Sequence, residues 1–199
     1  MKRKSKSVAK WRYLLSLALS MVASATATAQ NCEVKLNALA GAVAIFNPSV
    51  EVGLSDNSAL SFDYVGAFAE ESYLHSGYPL ILAMGLFGYR QYITSESNTG
   101  LYIGGDFGLN MFRMNKNIIP LVANDRGNNY DVGYGYLLGL SVGYKYPITE
   151  RLSVEASLSG GWQYTRHEVY SMDGNRFISF NASGEWTPYK AGIYLNYRL

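Results

Sequence analysis

The chain has a single cysteine, Cys32, so it can form no internal disulfide. It has two histidines, His75 and His167, with no metal-ligand spacing around either and no glycine-rich phosphate loop. These gaps leave no motif for a catalytic centre, a metal or a cofactor. Beyond residue 29 there is also no run of about 18 apolar residues, so no transmembrane helix is expected. A mature chain lodged in a membrane would have to be a closed barrel, because only helices and closed barrels pair every backbone group in lipid.

The front end is different in kind. Residues Met1–Arg12 carry Lys2, Arg3, Lys4, Lys6, Lys10 and Arg12 with no acid, then an apolar core runs from Tyr13 to Ala23, then Ser24-Ala25-Thr26-Ala27-Thr28-Ala29. This reads as a secretory signal peptide, residues 1–29, cut after Ala29. Eleven apolar residues fall short of the ~20 a membrane-crossing helix needs. Removing the leader reverses the charge. The whole chain is +2, but the leader holds six bases and no acid, which leaves eleven Lys and Arg against fifteen Asp and Glu, or −4. No nucleic-acid footprint survives that removal. Cys32 lies near enough to the cut to raise lipid anchoring. Ala29-Gln30-Asn31 lacks the small residue that directly precedes a lipidated cysteine, so an unpaired thiol is the expectation.

What the mature chain has is period-2 alternation. Leu152, Val154, Ala156, Leu158, Gly160, Trp162 and Tyr164 fall on one face, opposite Ser153, Glu155, Ser157, Ser159, Gly161, Gln163 and Thr165. The preceding strand sets Tyr134 and Tyr136, then Leu138, Leu140 and Val142, then Tyr144 and Tyr146, on one face. Aromatic pairs bracketing an aliphatic middle mark a strand that crosses two membrane interfaces. With ~3.3 Å rise per residue and ~40° tilt, Tyr136 to Tyr144 covers roughly 20 Å, close to the ~25 Å apolar band of such barrels. The expected aromatic girdle is Tyr134, Tyr136, Tyr144, Tyr146, Trp162 and Tyr164.

The same alternation predicts eight strands in residues 30–199: about Val34–Ala44, Val50–Ser55, Leu60–Ala69, Leu80–Tyr92, Leu101–Met114, Tyr134–Tyr146, Leu152 to about Thr165, and a last one from about residue 190 to the end. The fourth is apolar on both faces, and Arg90 is placed inward because a lipid-facing arginine costs ~2–4 kcal/mol at the midplane. By strict register Arg113 would face lipid, so the fifth strand should bulge there or have left the bilayer. Connections near Asp56, Ser97 and Thr149 are short. Segments 70–79, 115–131 and 166–189 are long, and the tight turn Phe46-Asn47-Pro48 breaks the pattern. Short turns on one side and long loops on the other give an up-and-down antiparallel outer-membrane barrel with both termini periplasmic. Asp173-Gly174 is a hairpin turn signal, which extends the seventh strand into a projecting arm.

Three stretches carry a resemblance. Asn47–Leu54 (NPSVEVGL) followed by Leu60–Tyr64 (LSFDY), Tyr144–Ser157 (YKYPITERLSVEAS) and Thr187–Tyr197 (TPYKAGIYLNY) resemble an uncharacterised outer-membrane β-barrel family common in Bacteroidetes. The resemblance implies a small eight-stranded barrel in the outer membrane. It carries no catalytic motif.

Inward positions collect Lys35, Arg90, Lys145 and Arg198 against Glu51, Asp63, Asp106 and Glu155. Eight strands make a bore just wide enough for side chains to fill, and buried charges must be paired, so an internal salt-bridge network is expected. A selective pore would show rings of one sign. The strand glycines Gly104, Gly105, Gly139, Gly143 and Gly161 fit barrel curvature. A rim enzyme would have to draw on His75 and His167 with Asp125, Asp131, Glu168 and Asp173, all placed in outer loops. Acid-rich solvated loops look the same. The sequence therefore favours a structural or surface-interaction role, with partners met through loops 70–79, 115–131 and 166–189 and with outer-membrane lipid around the wall. A narrow pore, a rim enzyme and a soluble periplasmic lipid-binding barrel are the alternatives.

Overall fold

A computed structural model describes residues 32–93, 97–115 and 129–199. The leader, residues 94–96 and most of the long segment 115–131, with Asp125, lie outside them. Eight strands in chain order form one antiparallel sheet: β1 (Cys32–Asn37), β2 (Pro48–Ser55), β3 (Ser58–Ala69), β4 (Leu80–Tyr92), β5 (Gly100–Met114), β6 (Asn129–Pro147), β7 (Leu152–Ser171) and β8 (Arg176–Arg198). Each strand pairs with the next, and β8 pairs back onto β1 from Glu33↔Arg198 to Asn37↔Tyr194, so the sheet forms a ring. Among the described residues there is almost no helix: one five-residue turn of helix, α1 (Ala38–Ala42), and a 3₁₀ turn at Tyr73–His75.

Alternation builds this ring because successive side chains leave a strand on opposite faces. In β5, Leu101, Ile103, Phe107, Leu109 and Met111 are exposed, whereas Tyr102, Asp106 and Asn110 are buried. In β6 the exposed set is Tyr134, Tyr136, Leu138, Leu140, Val142, Tyr144 and Tyr146. The wall is apolar outside, and Leu140 is 74% exposed. Inside, the residues are polar at the end where the short turns lie (the turn end). Toward the other end, Val65, Met84, Leu86 and Leu137 form a buried apolar layer. That layer explains why β4 shows no alternation: its inward face is apolar through Leu80, Met84 and Leu86, then turns polar at Arg90 and Tyr92.

Four expectations are corrected. The first strand ends at Asn37 rather than Ala44, because the Asn37 side chain accepts the Ala40 N–H and caps α1. The first connection is therefore residues 38–47, a long one on the same side as the other long segments, and the tight-turn exception disappears. Segment 166–189 is not a loop. It is strand on both sides of a turn at residues 172–175, with Gly174 N–H donating to Ser171 O and φ +82° at Gly174. Finally, β5 neither bulges nor stops at Arg113; the register runs unbroken to Met114. The Arg113 guanidinium lies over the Tyr130 ring, 4.7 Å from its centroid.

Candidate functional site

The densest chemistry lies inside the ring at the turn end. Lys35 of β1 places Nζ 2.5 Å from Glu51 Oε2 and 2.6 Å from Glu155 Oε2. Arg90 of β4 donates from Nη1 to Glu51 Oε2 at 2.8 Å and to Glu155 Oε1 at 2.9 Å. Lys145 of β6 reaches Glu51 Oε1 at 2.5 Å and Glu33 Oε2 at 2.9 Å. Arg198 of β8 closes the outer edge on Glu33 at 3.1 Å. Two tyrosines complete the coordination: Tyr92 Oη donates to Glu51 Oε1 at 2.7 Å, and Tyr102 Oη donates to Glu155 Oε1 at 2.6 Å. Arg90 stacks over the Tyr102 ring, and Lys145 lies over the Tyr92 ring.

A second layer lies farther in. Lys190 Nζ donates to Asp63 Oδ2 at 3.0 Å, and Tyr189 Oη donates to Asp106 Oδ2 at 2.7 Å. Of the eight charged residues expected inside, Lys35, Glu51, Arg90, Lys145 and Glu155 meet in one cluster. Arg198 joins it through Glu33, and Asp63 and Asp106 belong to the second layer. Glu33 and Lys190 are members that the sequence pattern did not single out. They are of opposite sign, so the set stays balanced.

Lys190 was hidden by a bulge. The register between β7 and β8 steps from Ser159↔Lys190 to Gly160↔Pro188, which leaves Tyr189 without an opposite residue. A bulge of this kind turns two consecutive side chains to one face. Both Tyr189 and Lys190 therefore point inward, and alternation changes phase there.

The interior depends on glycine at close approaches. A Cβ at Gly143 would stand 2.5 Å from Tyr102 Cζ, and one at Gly192 would run into the Asn37 amide. These glycines make room for inward side chains, a use distinct from the curvature expected from sequence.

A polar hub marks the seam where the ring closes. Asn37 Nδ2 donates to Asn47 Oδ1 at 2.9 Å and to Ala191 O at 3.1 Å, while Asn47 Nδ2 donates to Tyr64 O at 2.8 Å. Tyr194 Oη donates to Asn47 Oδ1 at 3.1 Å. Both asparagines are buried. The only sequence signal for them is their position beside strand ends.

All six girdle residues are on the outward face. Tyr136 and Tyr164 pair across β6 and β7 with ring centroids 5.5 Å apart. Trp162 stands opposite Leu138, one outward position nearer mid-height, and meets Trp186 of β8 edge-on at 6.1 Å. Trp186 is the most exposed aromatic of the wall, at 76%.

Among the described side chains, His167, Glu168, Asp131 and Asp173 of the residues a rim enzyme would use do not converge. His167 is buried on the inward face of β7 rather than in a loop. Glu168 faces outward, where it accepts from Tyr170 Oη and pairs with Arg176 at 3.1 Å. Asp173 sits at the exposed hairpin turn, and Asp131 is buried at the start of β6. Among the described residues, no group of three His, Cys, Asp or Glu is placed to hold a metal.

Neither a curated protein nor a solved structure matches the chain. A family profile does, over residues 14–199. The chain thus belongs to the family described as Protein of unknown function (DUF3575).

Proposed function

We propose that the chain is a small outer-membrane β-barrel with a cleaved signal peptide, and that its role is structural or surface interaction rather than catalysis. The observation that carries this reading is the inversion of an ordinary soluble protein. Buried Lys35, Glu51, Arg90, Lys145 and Glu155 occupy the interior, while Leu109, Leu138, Leu140 and Phe87 stand exposed on the wall. In water such a continuous apolar surface is a liability, whereas in hydrocarbon it is the favoured solvent contact. The tyrosine pairs at the two ends of β6 suit two interfaces. The resemblance to a Bacteroidetes outer-membrane family points the same way. A soluble barrel holding lipid would need the opposite distribution.

In this reading the termini are periplasmic and segments 38–47, 70–79 and 172–175 face outward from the cell. The long β7–β8 arm would then present Glu168, Tyr170 and Arg176 to a surface or envelope partner. The interlocked interior weighs against a selective pore, because its charges are of both signs and mutually bonded. The test is electrophoretic mobility of protein extracted from membranes, with and without boiling. A heat-dependent shift in the outer-membrane fraction supports the reading, and a soluble periplasmic protein without a shift refutes it.

A further inference from the structure

The ring is not uniformly built. β1 is six residues long, whereas β6, β7 and β8 have 19, 20 and 23. Beyond Tyr194, β8 has no strand on its β1 side; among the described elements, α1 lies against that edge. Pro188, which has no N–H to donate, falls within this edge, a position suited to proline. On the far side of the gap, β3 meets the segment through the isolated bridge Phe46↔Gly66 and through the Asn47 amide on Tyr64 O. Segment 38–47 thus fills a hole in the upper wall between β8 and β3.

The filling is lightly fastened. Tyr73 Oη donates to Val43 O at 2.5 Å, and the Asn37–Asn47 hub holds the two ends. Burial pushes the Tyr73 phenol above its ordinary value, which keeps it a donor. Ala44 has φ +56°, a left-handed conformation that a non-glycine residue adopts only under strain. The segment also has two chemical faces. Leu39, Val43 and Phe46 are exposed outward, while Ile45 packs inward on both interior apolar clusters, the layer of Val65, Met84, Leu86 and Leu137 and the group of Ala67, Tyr73 and Leu80. Outside and inside apolar surfaces are therefore separated by one short segment.

We propose that this segment is a lateral gate, and that when it swings out a single hydrocarbon chain of a membrane amphiphile enters from the bilayer to take the place of Ile45 against the interior apolar layer. The proposal rests on the outer-membrane reading. A backbone edge such as that of β8 is costly in lipid unless covered, so the closed state is favoured and opening is transient. A hydrocarbon chain is the class of occupant because Ile45 and the two clusters it packs on are apolar, whereas the charged network lies toward the turn end.

The test uses the full chain reconstituted in phosphatidylcholine vesicles doped with a phosphatidylethanolamine bearing a photoactivatable diazirine on its acyl chain. Labelled residues are mapped by mass spectrometry. Phe46→Cys with Gly66→Cys, in a Cys32→Ser background, locks the gate. The two residues are a hydrogen-bonded antiparallel pair, about 5.5 Å between Cα atoms, within disulfide reach. The far end of the Tyr64 ring must swing aside from the new Cβ at position 66. Expected are labels on outward Leu138 and Leu140 in every variant, and labels on inward Val65, Met84 or Leu86 that vanish on oxidation and return on reduction. Tyr73→Phe should raise the inward labelling by roughly five-fold, the factor one lost hydrogen bond corresponds to. Outward labels alone, or inward labels indifferent to the lock, overturn the gate while leaving the membrane reading intact. No label on the outward band overturns both.

Discussion

Arg90 and Glu155 meet at 2.9 Å although their strands, β4 and β7, are three places apart around the ring. The two strands are not neighbours in the sheet. The contact crosses the bore, and Lys145 of β6 crosses it as well to reach Glu51 of β2. The network therefore ties together β1, β2, β4, β6 and β7, of which backbone pairing directly joins β1 to β2 and β6 to β7 while β4 is reached only through neighbours.

Removing one member should be severe. Glu155→Gln leaves Lys35 and Arg90 with one carboxylate between them and should cost roughly 3–5 kcal/mol. The double variant Glu155→Leu with Arg90→Met should lose clearly less than the two single changes added together. Denaturant titration in detergent, following the folded band on a gel, measures both. Additive losses would show the pair is not coupled.

Gly143 is required by the Tyr102 ring lying on it. Gly143→Val should destabilise by about 1–3 kcal/mol through overpacking, and Tyr102→Leu in the same chain should recover part of that loss. Equal stability of Gly143→Val and the parent would mean that the ring moves freely.

Outward positions should report depth. Leu140 is at the middle of the aliphatic stretch of β6 and Tyr146 near its end. Leu140→Arg should weaken insertion into vesicles by ~2–4 kcal/mol and Tyr146→Arg by ~0–1 kcal/mol. Folding yield against urea, in lipid, checks the contrast; equal losses would count against a membrane-spanning β6.

The Asn37 side chain both caps α1 and satisfies Asn47. Asn37→Ala should cost about 1 kcal/mol for the cap and about 1–3 kcal/mol more for the two bonds its amide gives to Asn47 Oδ1 and Ala191 O. Amide hydrogen exchange should show faster opening of residues 38–47 while β6 and β7 keep their protection. Uniform loss of protection would place Asn37 in the global core instead.

Much of the architecture was legible because one physical rule governs most of it. Where β5, β6 and the first half of β7 alternate without interruption, sequence gave strand, face and partner order together. Arg90 could be placed inside because no other face tolerates it. Legibility failed where the rule is broken locally. The bulge at Tyr189 reverses the phase of β8, and the small polar run Asn181–Glu185 offers no strong alternation, so a long strand read as a loop. The early end of β1 depends on Asn37, whose capping role is shared by many turn asparagines and becomes visible only beside Ala40, Asn47 and Ala191.

The sequence by itself determined the all-β class, the number of strands and the sign of the faces wherever alternation is uninterrupted, since these follow from side-chain spacing of two along an extended chain. Only the tertiary structure decided which charges meet. Pairing across a bore depends on strand stagger and ring closure, which bring Lys35 to Glu155 over 120 positions of chain. The same closure decided that β1 stops short of β8 and that a few residues of helix complete the wall.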